Sequence, residues 1–293
     1  MILDGKTIRR EIEDKLRKKI TDLSKLAKRK PMLAIIQVGS REDSNAYIRQ
    51  KTLCAESIGA GINHMRYPET ITEKEIIAQI EKLNSDKKTD GVILQIPIPQ
   101  HLSKTTIIES IAPEKDVDGL TAVNIKKLYE NDPTGHVPAT TRGIMTLLNH
   151  YKIAIEGKKV VVVGRSGLVG RPTALAFINE NGTVTVCHSK TLNLQNETMS
   201  ADILIAATGH PHLIGKNYVR SGQVVIDVGI NLVAGTKLEE EIPGKKFVGD
   251  VDFENVKNVV SAISPVPGGV GPLTVASLFE NLVSAFEKSL NLV

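Results

Sequence analysis

The chain has 293 residues, enough for about two domains that each bury a sizeable core, and its 41% apolar and 24% charged residues exclude disordered and fibrous classes. A net charge of +4, with 3% aromatic residues and no Trp, offers neither the clustered cations nor the stacking platforms of a nucleic-acid binder. Two cysteines, Cys54 and Cys187, exclude a disulfide scaffold and a Cys-rich zinc site, so no metal is expected. Asp4, Lys6, Arg9 and Arg10 charge the N-terminus, where a signal peptide would need an apolar run. The long uncharged stretch 258–279 is broken by Pro265, Pro267 and Pro272, so it does not read as a membrane helix. The expectation is a cytoplasmic protein with no membrane and no nucleic-acid partner.

Leu3, Ile8, Ile12, Leu16, Ile20 and Leu23 recur at helical spacing among charges and predict an amphipathic opening helix. The basic run Lys28, Arg29, Lys30 reads as its solvated end before Pro31. A buried strand over 32–38 follows, then a helix over 45–58 with Ser44 as N-cap and Gly59 as stop. A strand over 62–67, a helix over 73–83 and a strand over 91–96 complete a βαβ series, which implies a parallel sheet. The polar, Pro- and Gly-broken segment 130–141 reads as a loop, and 143–151 as a connecting helix. A second α/β series places strands at 160–163, 183–187, 203–206, 224–228 and 247–248, and a last helix over 274–288 is capped by Thr274. The fold class is α/β, with a domain change near 143–157.

Val160 to Val163 run into Gly164-Arg165-Ser166-Gly167-Leu168-Val169-Gly170-Arg171-Pro172, a strand, a glycine turn and a helix start. In that context the glycines bring backbone N–H groups and a helix N-terminus to a pyrophosphate, although the spacing is G-x-x-G-x-x-G. The next strand ends in Cys187-His188-Ser189-Lys190, without the carboxylate that binds a ribose 2′-hydroxyl in NAD enzymes. Arg165 and Lys190 would instead face a 2′-phosphate, which favours NADP.

Tyr47 and Lys51 stand at i and i+4 on one helical face. Tyr47 can stack on a flat substrate, and Lys51 can move a proton if burial lowers its pKa. Short-chain dehydrogenases also use Tyr-x-x-x-Lys, but downstream of the glycine turn, whereas this pair lies far upstream. Gln95 ends an apolar strand, and Asp116 and Asp118 place two carboxylates in one loop. Ligands of open α/β sheets gather at such strand ends. Pro265-Val266-Pro267-Gly268-Gly269-Val270-Gly271-Pro272 reads as a rigid, side-chain-poor loop between domains, suited to backbone contact with a ligand.

SNAYIRQK (44–51), LQIPIP (94–99), PEKDVDG (113–119), VVVGRSGLVGRP (161–172), CHSK (187–190), DVGIN (227–231), VGDVDF (248–253) and SPVPGGVGPLTV (264–275) occur in that order. Together they resemble the bifunctional methylenetetrahydrofolate dehydrogenase/methenyltetrahydrofolate cyclohydrolase family over essentially the whole chain. The sequence departs at Ala139 and Thr141, where many members carry cysteine and proline. The resemblance implies a three-layer α/β catalytic domain (1–145 plus 273–293) that binds folate. It also implies a Rossmann-like NADP domain (146–272), with the active-site cleft between the two. It implies Lys51 as acid/base residue, Gln95 tuning it, Tyr47 stacking on the substrate and Asp118 receiving the pterin N–H groups. Leu94, Ile96, Pro267, Gly268, Gly269, Val270, Gly271 and Pro272 would contact the substrate. Gly164, Arg165, Ser166, Ser189 and Ile230 would hold NADP. Tetrahydrofolate derivatives are the implied substrates and a homodimer through the nucleotide domain the implied assembly. Two rival readings are a shikimate-like dehydrogenase of a small acid and a nucleotide-sensing protein without turnover.

Overall fold

The computed structural model of the protein describes residues 1–234 and 245–290; residues 235–244 and 291–293, which fall in the expected domains 146–272 and 273–293, lie outside the described residues. The chain forms two compact units, one of residues 10–139 and 275–293, the other of 1–9 and 140–274. The division thus falls at 139/140 and 274/275, and the first nine residues join the second unit. Residues 1–3 run parallel to the strand at Ile263, with Leu3 N–H on the Ile263 carbonyl (2.9 Å) and Ile263 N–H on that of Met1 (3.0 Å).

The first unit follows the order α1 (Gly5–Ala27), β1 (Met32–Val38), α2 (Glu42–Ile58), β2 (Gly61–Tyr67), α3 (Glu73–Ser85), β3 (Gly91–Leu94), α4 (Lys104–Glu109) and α5 (Ala122–Tyr129). Its three strands are all parallel in the order β2-β1-β3. Ile12, Leu16, Ile20 and Leu23 of α1 are buried, as the helical period requires. Helix α2 starts at Glu42 rather than 45, because Glu42 and Asp43 favour a helix N-terminus and Arg41 pairs with Asp43 (2.7 Å). Ser44 is therefore no cap. Its hydroxyl is buried inside the first turn without a partner, while Gly59 closes the helix as expected. Helices α4 and α5, absent from the sequence reading, are short and begin on Ser103 and Thr121 caps.

The second unit continues with α6 (Ala139–His150), β4 (Lys159–Val163), α7 (Gly170–Asn179), β5 (Thr183–Cys187), α8 (Leu194–Ser200), β6 (Ile203–Ala206) and β7 (Val224–Asp227). It ends in β8 (Asn231–Ala234), β9 (Lys245–Val248), α9 (Phe253–Val256), β10 (Ala262–Ile263) and α10 (Val270–Ser289), the last continuing into the first unit. The parallel sheet runs β10-β7-β6-β4-β5. The strand expected at 247–248 is not part of it: β9 pairs antiparallel with β8, and β10 supplies the fifth parallel strand. Helix α6 begins at Ala139, inside the expected loop. Gly143 does not start it but lets it approach another backbone, since a Cβ there would lie 3.1 Å from the Leu273 carbonyl carbon. Helix α10 begins at Val270, so Thr274 lies within it and its hydroxyl meets the Val270 carbonyl (3.4 Å). Pro272 is tolerated because N–H groups of a first turn need no helical partner. The expected rigid loop therefore ends at Gly269.

Two local arrangements carry expected outcomes. Arg29 is not merely solvated: its guanidinium forks onto the buried Asp90 (2.6 and 2.8 Å) and lies 4.7 Å from the centre of the Phe286 ring. Asp90 also accepts the Met32 N–H (2.9 Å). Arg29→Ala strips a buried carboxylate of its countercharge and should cost about 3 kcal/mol in urea unfolding. Lys25→Ala, which removes an exposed pair with Asp22, should cost under about 0.5 kcal/mol. In the turn after β4, Gly164 has φ +129° and a Cβ there would overlap the Ala207 carbonyl, whereas a Cβ at Gly167 meets nothing within 4 Å. Gly164→Ala should lower stability by about 2 kcal/mol or more, and Gly167→Ala by less than about 0.5 kcal/mol, in thermal unfolding.

Candidate active site

In an open parallel sheet, ligands bind beyond the carboxyl ends of the strands where the strand order reverses. The order β2-β1-β3 puts that reversal between β1 and β3. Helix α2 leaves β1 and carries Lys51, while Gln95 follows the last residue of β3 and is buried. The Lys51 ammonium donates to the Gln95 Oε1 at 2.8 Å. Gln95 in turn donates its Nε2 to the Ile96 carbonyl (2.9 Å), which fixes the amide so that its oxygen faces the lysine. Leu94 is the buried end of β3, and Ile96 is half-buried.

The two loop acids have separate tasks. Asp116, buried and bridged to Val92 of β3, accepts the Thr121 N–H (2.7 Å) and the Asn124 side chain (2.9 Å). Its carboxylate is committed to the loop. Asp118 is the acid whose charge acts on Lys51. Burial lowers the Lys51 pKa from the usual 10.5, and Asp118 opposes that shift. Burial also raises the Asp118 carboxyl, with Lys51 opposing and Asp116 adding to the rise. Tyr47, one turn before Lys51, is half-buried, and its hydroxyl is pushed up by burial and by Asp43. The site thus holds an amine whose proton is loosened and a carboxyl whose charge acts on it.

Sequence reasoning missed the residue that fixes this loop. Asn281 of α10 is buried and donates its amide to the Val117 and Val137 carbonyls, both at 2.9 Å. The Ala139 N–H binds the Asp118 carbonyl (3.2 Å), and Gly119 turns the chain at φ +72°. The available signal was one amide in the apolar stripe Leu278, Phe279, Leu282, Val283 and Phe286.

In the second unit the order β10-β7-β6-β4-β5 reverses between β4 and β6. The Gly164 turn follows β4 and the Ala207–His210 loop follows β6, and the missing Cβ of Gly164 lets the two touch. The Ser166 hydroxyl accepts from the Val169 and Gly170 N–H groups (3.2 and 3.4 Å), so its side chain closes the turn that leads into α7. Arg165, Ser166, Ser189 and Lys190 are exposed at the ends of β4 and β5, and Ile230 is 42% exposed beyond β7. His188 accepts the Lys190 N–H (3.1 Å) and so fixes the turn that carries Ser189. Two exposed cations with no acid among residues 187–190 fit a dinucleotide bearing a 2′-phosphate. Pro267, Gly268, Gly269, Val270, Gly271 and Pro272 also belong to this unit, the last three as the first turn of α10. The departure at Thr141 has a partner in the fold: its buried hydroxyl lies 3.2 Å from that of Thr173 on α7.

Comparison with known proteins agrees with this geometry. Residues 3–118 match the model of the tetrahydrofolate dehydrogenase/cyclohydrolase catalytic domain, and residues 138–290 that of the family's NAD(P)-binding domain. The chain is 43% identical over 291 residues to the bifunctional protein FolD of Sulfurihydrogenibium sp., covering 99% of each. It spans only 30% and 29% of the length of the cytoplasmic and mitochondrial C-1-tetrahydrofolate synthases of Schizosaccharomyces pombe, to which it is 42% and 45% identical. The crystal structure of the bifunctional enzyme FolD from Campylobacter jejuni superposes with a TM-score of 0.91 at 40% identity, covering 98% of this chain and 99% of that one. The Trypanosoma brucei methylenetetrahydrofolate dehydrogenase-cyclohydrolase, complexed with NADP and an inhibitor, gives 0.94 at 35% identity, covering 99% and 98%. Shikimate dehydrogenase of Aquifex aeolicus, at 0.51 and 13% identity over 88% of this chain and 97% of that one, shares the fold alone. The chain belongs to the tetrahydrofolate dehydrogenase/cyclohydrolase family.

Proposed function

We propose that this chain oxidises 5,10-methylenetetrahydrofolate with NADP and then hydrolyses the 5,10-methenyl product to 10-formyltetrahydrofolate. The observation that carries the reading is the half-buried Lys51, whose amine is held on Gln95 and feels the charge of Asp118. Tyr47, Lys51, Gln95 and Asp118, which serve the folate, belong to the first unit, and the glycine turn that serves the dinucleotide belongs to the second. Gly164, Arg165, Ser166, Ser189 and Ile230 would hold NADP, which would supply the hydride acceptor. Asp118 accepts the paired N–H donors of an amino-pterin, a contact of the charge-assisted kind, and Tyr47 stacks on the ring. Lys51 in its neutral form takes a proton from the water that attacks the methenyl carbon; the bond from that carbon to N5 then breaks, N5 keeping the electron pair and taking the proton back from Lys51, while the added hydroxyl loses its proton to solvent and becomes the formyl oxygen. Gln95 holds one N–H of the amine, which leaves its lone pair free to accept the water proton. A shikimate-like dehydrogenase would not need Asp118 or Gln95, and a sensing protein has no use for a proton-shuttling lysine. The resemblance further supports a cytoplasmic homodimer formed through the nucleotide unit. No helix among the described residues is long and apolar enough to cross a membrane.

Purified protein given methylenetetrahydrofolate and NADP should produce NADPH and the methenyl species, both followed by absorbance; absence of both products would sink the reading. Lys51→Met keeps the stem and removes the base. Cyclohydrolase activity should fall by about 10²-fold or more, while hydride transfer, which leans on orientation, should survive better, so that methenyltetrahydrofolate accumulates. The neutral amine is the active form and its pKa is lowered, so unmodified cyclohydrolase kcat/KM should rise with pH and level off below 10.5. That rise should vanish in Lys51→Met. A pH profile shared by both enzymes would remove Lys51 from the step.

A further inference from the structure

The segments DVGIN (227–231) and VGDVDF (248–253) take no part in the proton chemistry of Lys51, and none of their residues belongs to the glycine turn. In the fold they interlock through two buried carboxylates. Asp227, at the end of β7, accepts the Gly229 and Asp250 N–H groups on Oδ1 (both 3.0 Å) and the Val251 N–H on Oδ2 (2.9 Å). Its own N–H is bound to the buried Ser264 hydroxyl (2.8 Å). Asp250, 0% exposed, accepts the Thr208 and Gly209 N–H groups on Oδ2 (2.5 and 2.9 Å) and the Asn231 amide on Oδ1 (2.9 Å). Each acid packs against the other's neighbouring glycine, because a Cβ at Gly249 would overlap Asp227 Oδ2 and one at Gly229 would overlap Asp250 Oδ1.

Burying two carboxylates this close is costly unless their oxygens are satisfied by donors. The donors here are mostly main-chain N–H groups of loops, which have no sheet partner and would otherwise be orphaned. The loops are those the dinucleotide needs. Thr208 and Gly209 follow β6 on one side of the strand-order reversal, in contact with the Gly164 turn through Ala207. Asn231 directly follows Ile230. The segment that carries Asp250 is itself anchored, with the His212 N–H on the Gly249 carbonyl (3.2 Å) and the Ile214 N–H on that of Asp250 (2.9 Å).

We propose that Asp250, oriented by Asp227, is a positioning residue for the dinucleotide: its carboxylate holds the Thr208–Gly209 turn and Asn231 in the arrangement that receives NADP. This rests on the dinucleotide reading of the second unit. The two acids meet backbone rather than ligand, so their effect passes through loop geometry. A loop in its competent arrangement a tenth of the time binds about 10-fold more weakly. Asn in place of Asp250 keeps the shape and one acceptor oxygen for the two N–H groups, and the Asn231 amide can turn to present its oxygen.

The test measures NADPH binding by fluorescence titration in Asp250→Ala, Asp250→Asn and Asn231→Leu, alongside the cofactor-independent hydrolysis of methenyltetrahydrofolate, whose proton-transfer residues Lys51 and Gln95 lie in the first unit. Asp250→Ala should raise the NADPH Kd about 10-fold or more, leave cyclohydrolase kcat/KM and the KM for methylenetetrahydrofolate within about 2-fold, and be largely rescued in Asp250→Asn. Asn231→Leu leaves every backbone donor its acceptor, so it should fold and still weaken NADPH by a few-fold; it decides the matter if Asp250→Ala does not fold. An unchanged Kd in Asn231→Leu and in any folded Asp250→Ala would overturn the proposal, as would parallel loss of binding and hydrolysis. Failure of the unmodified protein to bind NADPH would instead overturn the dinucleotide reading itself.

Discussion

A lysine amine held at 2.8 Å from an amide oxygen, in surroundings that disfavour its charge, is the interaction around which the first unit is organised. Water solvates an ammonium far better than a protein interior does, so burial lowers the pKa of the amine and lets it act as a base at lower pH than a surface lysine would allow. That condition is met only if neighbouring groups are fixed. Gln95 is fixed by its bond to Ile96, and Asp118 by a loop whose carbonyls Asn281 holds and whose turn Asp116 ties to Thr121 and Asn124. Asp118 opposes the loss of charge on Lys51, so the two acids of the loop cannot be exchanged: one sets the amine's balance, the other sets the loop.

Both units obey the same topological constraint. Each has a first strand flanked by the second on one side and the third on the other, and each places its functional groups beyond the carboxyl ends at that reversal. In the first unit the reversal is filled by side chains, the amine and the amide. In the second it is filled by backbone, the Gly164 turn against Ala207, with buried acids behind it. Proton transfer needs a titratable group at the reacting atom, whereas a pyrophosphate is recognised by N–H groups. On the proposed function, the difference in residue types follows from that difference in task.

Most strands and the glycine turn were legible, because buried parallel strands are short apolar runs and Gly164 sits between one of them and a helix. Helix starts were less so. Pro172 and Pro272 each fall at the third residue of a helix, and the glycine-dense run before Pro272 reads as a breaker until the geometry shows it in a first turn that needs no N–H. Ser44 has the chemistry of a cap, but two acids just before it draw the helix start upstream. Arg29 looks like part of a solvated basic run because its partners, Asp90 and Phe286, are distant in sequence. Lys51, Gln95 and Asp118 could be named from their motifs, and the resemblance gave them roles. Asn281, Asp227 and Asp250 act by long-range bonds to main chain, and no local pattern announces such a partner.

Selective labelling of lysine side-chain nitrogens and an NMR titration of Lys51 in the free protein test the central claim most directly. The amine should titrate below 10.5, and in Asp118→Asn, where the opposing anion is gone, it should titrate lower still. A Lys51 that titrates at 10.5 or above, or one that Asp118→Asn leaves unmoved, would contradict the account.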